Sequence, residues 1–211
     1  VTGDHNSEVV VRVAGLAECG DYAGVLAAGE REKAEGITND VLRARFVVTR
    51  GLRRELLARV TGRRAEELVF GGEEEGKPRL MDGIGWDFNV SHAGAYVAVV
   101  VGRGSVGIDL EMRRSVREMR ALVMRCFHPD EAAAWASLGE AERDEGFFTL
   151  WSAREAAMKC CGLGLAKGAL QTRVDPALLQ AKTGTARVGV ATVSLQRREA
   201  PTGYVMVVAR A

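Results

Sequence analysis

The alternation of apolar and polar positions divides the chain into recognisable elements. The run VVVRVAG (Val9 to Gly15) is β-branched and predicts a strand. A short helical piece around Tyr22 to Ala28 leads into the charged stretch GEREKAEGITND. From Thr38 to Gly62, Val41, Leu42, Arg45, Phe46, Thr49, Leu52, Leu56 and Val60 recur at three- and four-residue steps, which predicts one long helix with Gly62 as its stop. ELVF reads as a short strand, GGEEEGKPRLM as a turn followed by a hairpin arm, and Phe88 to Met112 as three further strands. Helical spacing then returns over Val116 to Phe127, His128 to Leu138 and Glu140 to Cys161. Two closing strands, TARVGVATVSLQ and GYVMVVARA, complete the chain.

This order of strand, long helix and antiparallel strands occurs twice. RFVVTRGLRRELL and GFFTLWSAREAAMK also echo each other, both running aromatic, apolar, Arg, then Glu. The expected fold is therefore α+β, with two similar α/β halves, residues 1–103 and 104–211, each an antiparallel sheet packed with a long helix. A cleft between such halves is the default place for a ligand.

Composition narrows the possibilities. The chain has 211 residues, 47% of them hydrophobic, which is ample for a proper core. Its 29 basic and 28 acidic residues leave a formal charge of +1, which excludes nucleic-acid or membrane binding driven by the charge of the whole surface. Any anion site must be local. Cys19, Cys126, Cys160 and Cys161 have no metal-ligand spacing and read as reduced packing residues. With no signal-like N-terminus and no long apolar window, a cytoplasmic location is expected.

Within the apolar stretch from Phe88 to Met112 five polar side chains stand out: Asn89, Ser91, His92, Asp109 and Glu111. Asp109 and Glu111 are two apart, so on a strand their carboxylates share a face and repel each other unless a cation lies between them. A hard divalent ion such as Mg²⁺ suits such a pair, and the ordinary alternative is a strand edge in water. Glu155 and Lys159 are four apart on a predicted helix and therefore stack on one face, which alone describes any surface ion pair.

Taken together, GKP (Gly76 to Pro78), FNVSH (Phe88 to His92), VGIDLE (Val106 to Glu111) and FFTLWSAREAAMKCCGLGL (Phe147 to Leu165) resemble the ordered signature of the 4′-phosphopantetheinyl transferases. The resemblance is to the broad-specificity branch that activates surfactin synthetase, whose members are pseudo-dimers, and a monomer is expected. It implies transfer of the phosphopantetheine arm of coenzyme A to a serine of an apo acyl or peptidyl carrier protein, with release of adenosine 3′,5′-bisphosphate. It further implies that Asp109, Glu111 and Glu155 hold Mg²⁺, or Mn²⁺, against the pyrophosphate. Glu155 would also take the serine proton, directly or through a metal-bound water, and Lys159 would neutralise or protonate the departing oxygen. Lys33, Lys77, Pro78, Ser91, His92 and Lys159 would bind coenzyme A, with Lys33 on its 3′-phosphate. Asn89, Ser91 and His92 would end one strand, and Asp109 and Glu111 another, at a shared cleft floor. Glu30 departs from the family pattern, because that position is often basic in relatives.

Other residues keep ordinary readings. His5, His128 and Trp135 read as structural or surface groups, and Arg50, Arg53 and Arg54 as one solvated helix face that has a lesser role open to it, receiving an acidic carrier. Two other functions stay open for the same site. One is Mg²⁺-dependent hydrolysis of a nucleotide or coenzyme-A-like pyrophosphate, and the other is a non-catalytic module that binds coenzyme A or a carrier. The carrier's pathway, whether fatty-acid, polyketide or non-ribosomal peptide, is not written in these motifs.

Overall fold

The valine run at the start forms β1 (Val9–Gly15), followed by α1 (Cys19–Ala23), α2 (Ala28–Glu35), α3 (Asp40–Thr61), β2 (Phe70–Gly71), β3 (Arg79–Leu80), β4 (Trp86–Ala93) and β5 (Tyr96–Arg103). The computed structural model describes residues 9–72, 76–81, 83, 85–164, 168 and 171–211. His5 and Leu165 lie outside them. The chain divides between Ser105 and Val106 into two compact units. Each sets a long helix against an antiparallel sheet, so the two halves repeat one α+β architecture.

In the N-terminal half the sheet order is β1-β5-β4, all antiparallel, and β2 pairs with β3 as a separate ribbon. The core joins Leu52, Leu56 and Leu57 of α3 to Val97, Val99 and Val101 of β5. Burying each of these side chains contributes roughly 1.5–3 kcal/mol. α3 starts where the Asn39 side chain accepts from the Leu42 N–H at 3.0 Å and stops at Gly62, whose φ of 69° favours glycine. Its first turn departs from the expected apolar stripe, because Val41 and Leu42 are exposed.

The charged stretch after Ala27 is a helix, and the earlier helical piece ends sooner than expected, at Ala23. The cause is Glu30. Its carboxylate accepts the Ala27 N–H at 3.2 Å, reaching back to the residue that precedes the helix. It also accepts from Arg53 Nη2 at 3.0 Å and Arg54 Nε at 2.6 Å. Arg54 further donates to the carbonyls of Ala65 and Leu68 at 2.6 and 2.9 Å, and the Arg53 guanidinium lies 3.8 Å from the Phe70 ring centroid. Arg53 and Arg54 are therefore only 2% and 3% exposed, and the expected solvated arginine face does not exist at these two positions. Of the ELVF segment, expected as a strand, only Phe70 is in one, and that strand belongs to the separate β2–β3 ribbon.

The C-terminal half runs β6 (Val106–Met112), α4 (Met119–Cys126), α5 (Pro129–Ala136), α6 (Arg143–Cys160), β7 (Thr172–Val174), β8 (Thr183–Val188), β9 (Ala191–Arg198) and β10 (Tyr204–Arg210). Its sheet order is β6-β10-β9-β8-β7, with every neighbouring pair antiparallel. The segment read as one strand, TARVGVATVSLQ, is a hairpin, because the chain reverses between Val188 and Ala191 at Gly189, whose φ is 60°. Phe147, Phe148, Leu150 and Ala153 of α6 form the core with Val193, Leu195, Val205 and Val207. Among the described residues no helix is long and apolar enough to cross a membrane.

Candidate functional site

β6 and α6 bring the acidic residues of the C-terminal half together. Their backbones approach so closely that a Cβ on Gly107 would lie 2.1 Å from the Ala156 carbonyl oxygen and 2.5 Å from the Cys160 nitrogen. Only glycine permits this spacing, and two residues further along β6 it leaves Asp109 within reach of α6. Lys159 Nζ donates to Asp109 Oδ1 at 2.7 Å and to the Ile108 carbonyl at 3.2 Å. The pair is therefore not a lysine and a glutamate lying along one helix in water, since Lys159 bridges from helix to strand. Nor does Asp109 stand on a solvated strand edge, being 4% exposed.

Glu111 and Glu155 are half-buried around that pair. Both have pKa values raised above the ordinary glutamate value, first by burial and next by the negative charge of Asp109. Lys159 opposes the rise in both, and Arg114, whose Nη1 lies 3.4 Å from Glu111 Oε2, opposes it in Glu111. Glu155 also feels Glu111 as a like charge. Three carboxylates thus share one electrostatic neighbourhood with one lysine. Among the described residues no three His, Cys, Asp or Glu side chains are gathered as a ready-made metal cage. The donor chemistry nevertheless fits a hard dication, because all three ligand candidates are carboxylates whose repulsion such an ion would relieve.

In the N-terminal half, β4 carries Ser91 and His92 on opposite faces, as strand alternation requires. Ser91 is buried and His92 exposed, so the expected pairing of the two on one floor is corrected. His92 and Val90 instead turn to α3, where with Pro78 and the α3 residues Arg45, Phe46 and Arg50 they line a cavity of about 380 Å³. Among the described residues that line it there is no carboxylate, and Arg53 adds a third guanidinium. Arg45 and Arg50 had not been singled out as ligand residues. The available signal was Arg45 itself, a cation in a position that helical periodicity assigned to an apolar stripe. Lys77 forms an ion pair with Asp87 of β4, and Lys33 is exposed on α2. Glu30 is committed to Arg53 and Arg54, which explains an acid at that position as a structural choice. His128 caps α5 and Trp135 donates to the Arg143 carbonyl at 2.9 Å, both structural as expected.

Comparison with known proteins covers both halves. Residues 105–208 match the family model described as the 4′-phosphopantetheinyl transferase superfamily, and residues 22–103 match the one described as 4′-phosphopantetheinyl transferase, N-terminal. The 4′-phosphopantetheinyl transferase HetI of Nostoc sp. is 34% identical over 169 residues, which cover 76% of this chain and 71% of that relative. The homologue slr0495 of Synechocystis sp. is 32% identical over 158 residues, 73% of this chain and 64% of that protein. A 4′-phosphopantetheinyl transferase of Bacillus subtilis is 28% identical over 141 residues, 66% of this chain and 62% of the relative.

Proposed function

The chain belongs to the 4′-phosphopantetheinyl transferase superfamily, and from that premise we propose that it moves the phosphopantetheine arm of coenzyme A to a serine of an apo acyl or peptidyl carrier protein. Adenosine 3′,5′-bisphosphate is the other product. The observation that carries the reading is the meeting of Lys159 with Asp109, beside two glutamates whose pKa values Asp109 helps to raise.

Asp109, Glu111 and Glu155 would hold Mg²⁺, which supplies positive charge to the pyrophosphate when bound. Glu155, whose pKa is raised above the ordinary glutamate value by burial and by Asp109, would take the proton of the attacking serine. The serine oxygen forms a bond to the phosphorus that bears pantetheine, and the bond from that phosphorus to the bridging oxygen breaks. Lys159 meets the charge that develops on this leaving oxygen, and its bond to Asp109 keeps its ammonium in position.

For coenzyme A the support is the cavity lined by His92, Pro78, Arg45 and Arg50, whose cations and apolar walls suit a phosphorylated nucleotide. Lys77 would assist from the segment before β3 and Lys33 from α2, whereas Ser91, buried on the other face of β4, takes no part. The match of two half-chain models supports assignment to the broad-specificity, two-half branch. We also propose that the protein acts as a cytoplasmic monomer, a reading consistent with its four free thiols.

Incubation with coenzyme A, Mg²⁺ and an apo carrier protein, followed by mass measurement of the carrier, tests the proposal. A carrier heavier by one phosphopantetheinyl group is the expected result. Free bisphosphate with an unmodified carrier would replace transfer by hydrolysis, and no reaction would reduce the protein to a binding module.

A further inference from the structure

Lys77 is bracketed by two residues that constrain its backbone. Gly76 before it has a φ of 135°, which favours glycine, and Pro78 after it restricts Lys77 to extended conformations. Pro78 lines the cavity beside α3, so Lys77 stands at the rim of that cavity. Its ammonium donates to Asp87 Oδ2, and the two side chains are only 14% and 23% exposed. Asp87 is the second residue of β4 and lies across from Gly102 of β5, a position with no side chain to crowd it. By strand alternation Asp87 shares a face with Asn89 and Ser91, whereas Val90 and His92 turn to the cavity. The cation at the rim is therefore drawn to the face of β4 that turns away from the cavity.

An ammonium with so little exposure needs an anion beside it, because burying an unpaired charge is costly. Asp87 supplies that anion when no ligand is bound. The described residues lining the cavity, Arg45, Arg50, Arg53 and His92 among them, include no carboxylate, and their chemistry suits phosphate. A phosphate at the rim offers Lys77 a second anion, with more charge and more acceptor oxygens. Lysine suits such a change of partner, since its ammonium is a compact charge on a flexible stem. Arg54, tied to Glu30 and to two carbonyls, has no such freedom.

We propose that Asp87 is the exchange partner of Lys77, a positioning residue that holds the ammonium at the rim, yields it to a phosphate of coenzyme A, and takes it back as adenosine 3′,5′-bisphosphate leaves. The inference rests on the coenzyme A reading above. Substrate and product share the 3′-phosphate and the first 5′-phosphate, so a site that only gripped these groups would hold its product as firmly as its substrate. Asp87 loosens the grip on both. Binding must break the bond between Lys77 and Asp87 and leave a carboxylate beside the phosphate, and unbinding restores the bond.

Calorimetry on the full chain with coenzyme A and, separately, with adenosine 3′,5′-bisphosphate tests this. In Asp87→Asn the amide oxygen still accepts from Lys77, so the ammonium stays in place, but the competing negative charge is gone. Both ligands should bind about fivefold more tightly than to the wild type, the scale of one partly exposed ion pair. Dissociation of the bisphosphate, followed by stopped flow, should slow by a similar factor. Single-turnover transfer at saturating coenzyme A should keep its wild-type rate, since Asp87 acts only on ligand entry and exit. Lys77→Met should weaken both ligands. Asp144→Asn, the same loss of charge at an exposed position of α6, should change neither constant. Equal or weaker binding in Asp87→Asn, the same tightening in Asp144→Asn, or wild-type binding in Lys77→Met would overturn the exchange. Tighter binding in Asp87→Asn, from a wild type that leaves an apo carrier unmodified, would overturn the transferase reading while leaving the exchange intact.

Discussion

Arg12 in β1 and Asp109 in β6 hold the same position in the two halves. Each is the fourth residue of a seven-residue strand, paired across to Val99 of β5 or Val207 of β10. The helix opposite carries Arg-Glu in both cases, Arg54-Glu55 in α3 and Arg154-Glu155 in α6. In the N-terminal half Arg12 faces Glu55 at 3.8 Å, so strand cation and helix anion balance each other. In the C-terminal half the strand contributes Asp109 and Glu111 and the helix Glu155, answered by Lys159 at Asp109 and by Arg114 at Glu111. One architecture therefore supports two charge arrangements. The first is complete in itself, and the second has use for a further cation.

The scaffold around those positions is conserved between the halves. Glu131 in α5 does what Glu30 does in α2: it caps its own helix, accepting the His128 N–H at 3.0 Å, and binds an arginine of the long helix, Arg154 Nη1, at 3.1 and 2.8 Å. It also accepts the Val174 N–H at 2.6 Å. After α6, Gly162 has a φ of 69°, the same as Gly62 after α3. Because Glu131 is 0% exposed, Glu131→Ala should cost roughly 3–5 kcal/mol in urea denaturation by taking the buried carboxylate away from Arg154 and the Val174 N–H. Glu30→Gln should cost less, since Arg54 keeps two carbonyl partners. Equal losses would mean that the two glutamates are not equivalent supports with different burial.

A smaller effect should separate the strands. Gly107→Ala should destabilise by about 1–3 kcal/mol, because the new methyl meets the α6 backbone. It should also lower transfer, since Asp109 and Lys159 are brought together by that approach. The corresponding second residue of β1 is already Val10, so the N-terminal half does not depend on such contact. A Gly107→Ala protein with wild-type stability and rate would remove the strand–helix approach from the account.

The smallest effect is one of pH. Burial alone would raise the pKa of Glu30, but the hydrogen bond and charge of Arg54, joined by the charge of Arg53, outweigh it and hold the value below the ordinary one. A carboxyl depressed in the folded state adds stability that is fully present above its unfolded pKa and is lost as pH falls through the folded one. Denaturation measured from neutral pH into the acid range should show this loss in the wild type and a flatter profile in Glu30→Gln. Parallel profiles would deny Glu30 its role.

Much of this was legible from residue order. Periodicity located β1 and α3 because their partners do not alter the local pattern, and two-residue and four-residue spacings picked out Asp109 with Glu111 and Glu155 with Lys159. The bond between Lys159 and Asp109 was not legible, because it joins positions 50 residues apart and depends on Gly107. Arg53 and Arg54 were misread for the same reason, their partner Glu30 lying 23 and 24 residues upstream in a stretch too charged to look like packed helix. The β8–β9 hairpin was hidden because its turn interrupts an otherwise unbroken series of β-formers at a single glycine.

The central claim is that chemistry is confined to the C-terminal copy of a repeated scaffold. Single-turnover transfer from saturating coenzyme A, with Mg²⁺, to an apo carrier protein compares Glu155→Gln with its counterpart Glu55→Gln. The account predicts that Glu155→Gln loses about 10²-fold or more in rate, the scale of a missing general base, while Glu55→Gln transfers at the wild-type rate. A wild-type rate in Glu155→Gln, or an equal collapse in both variants, would contradict it.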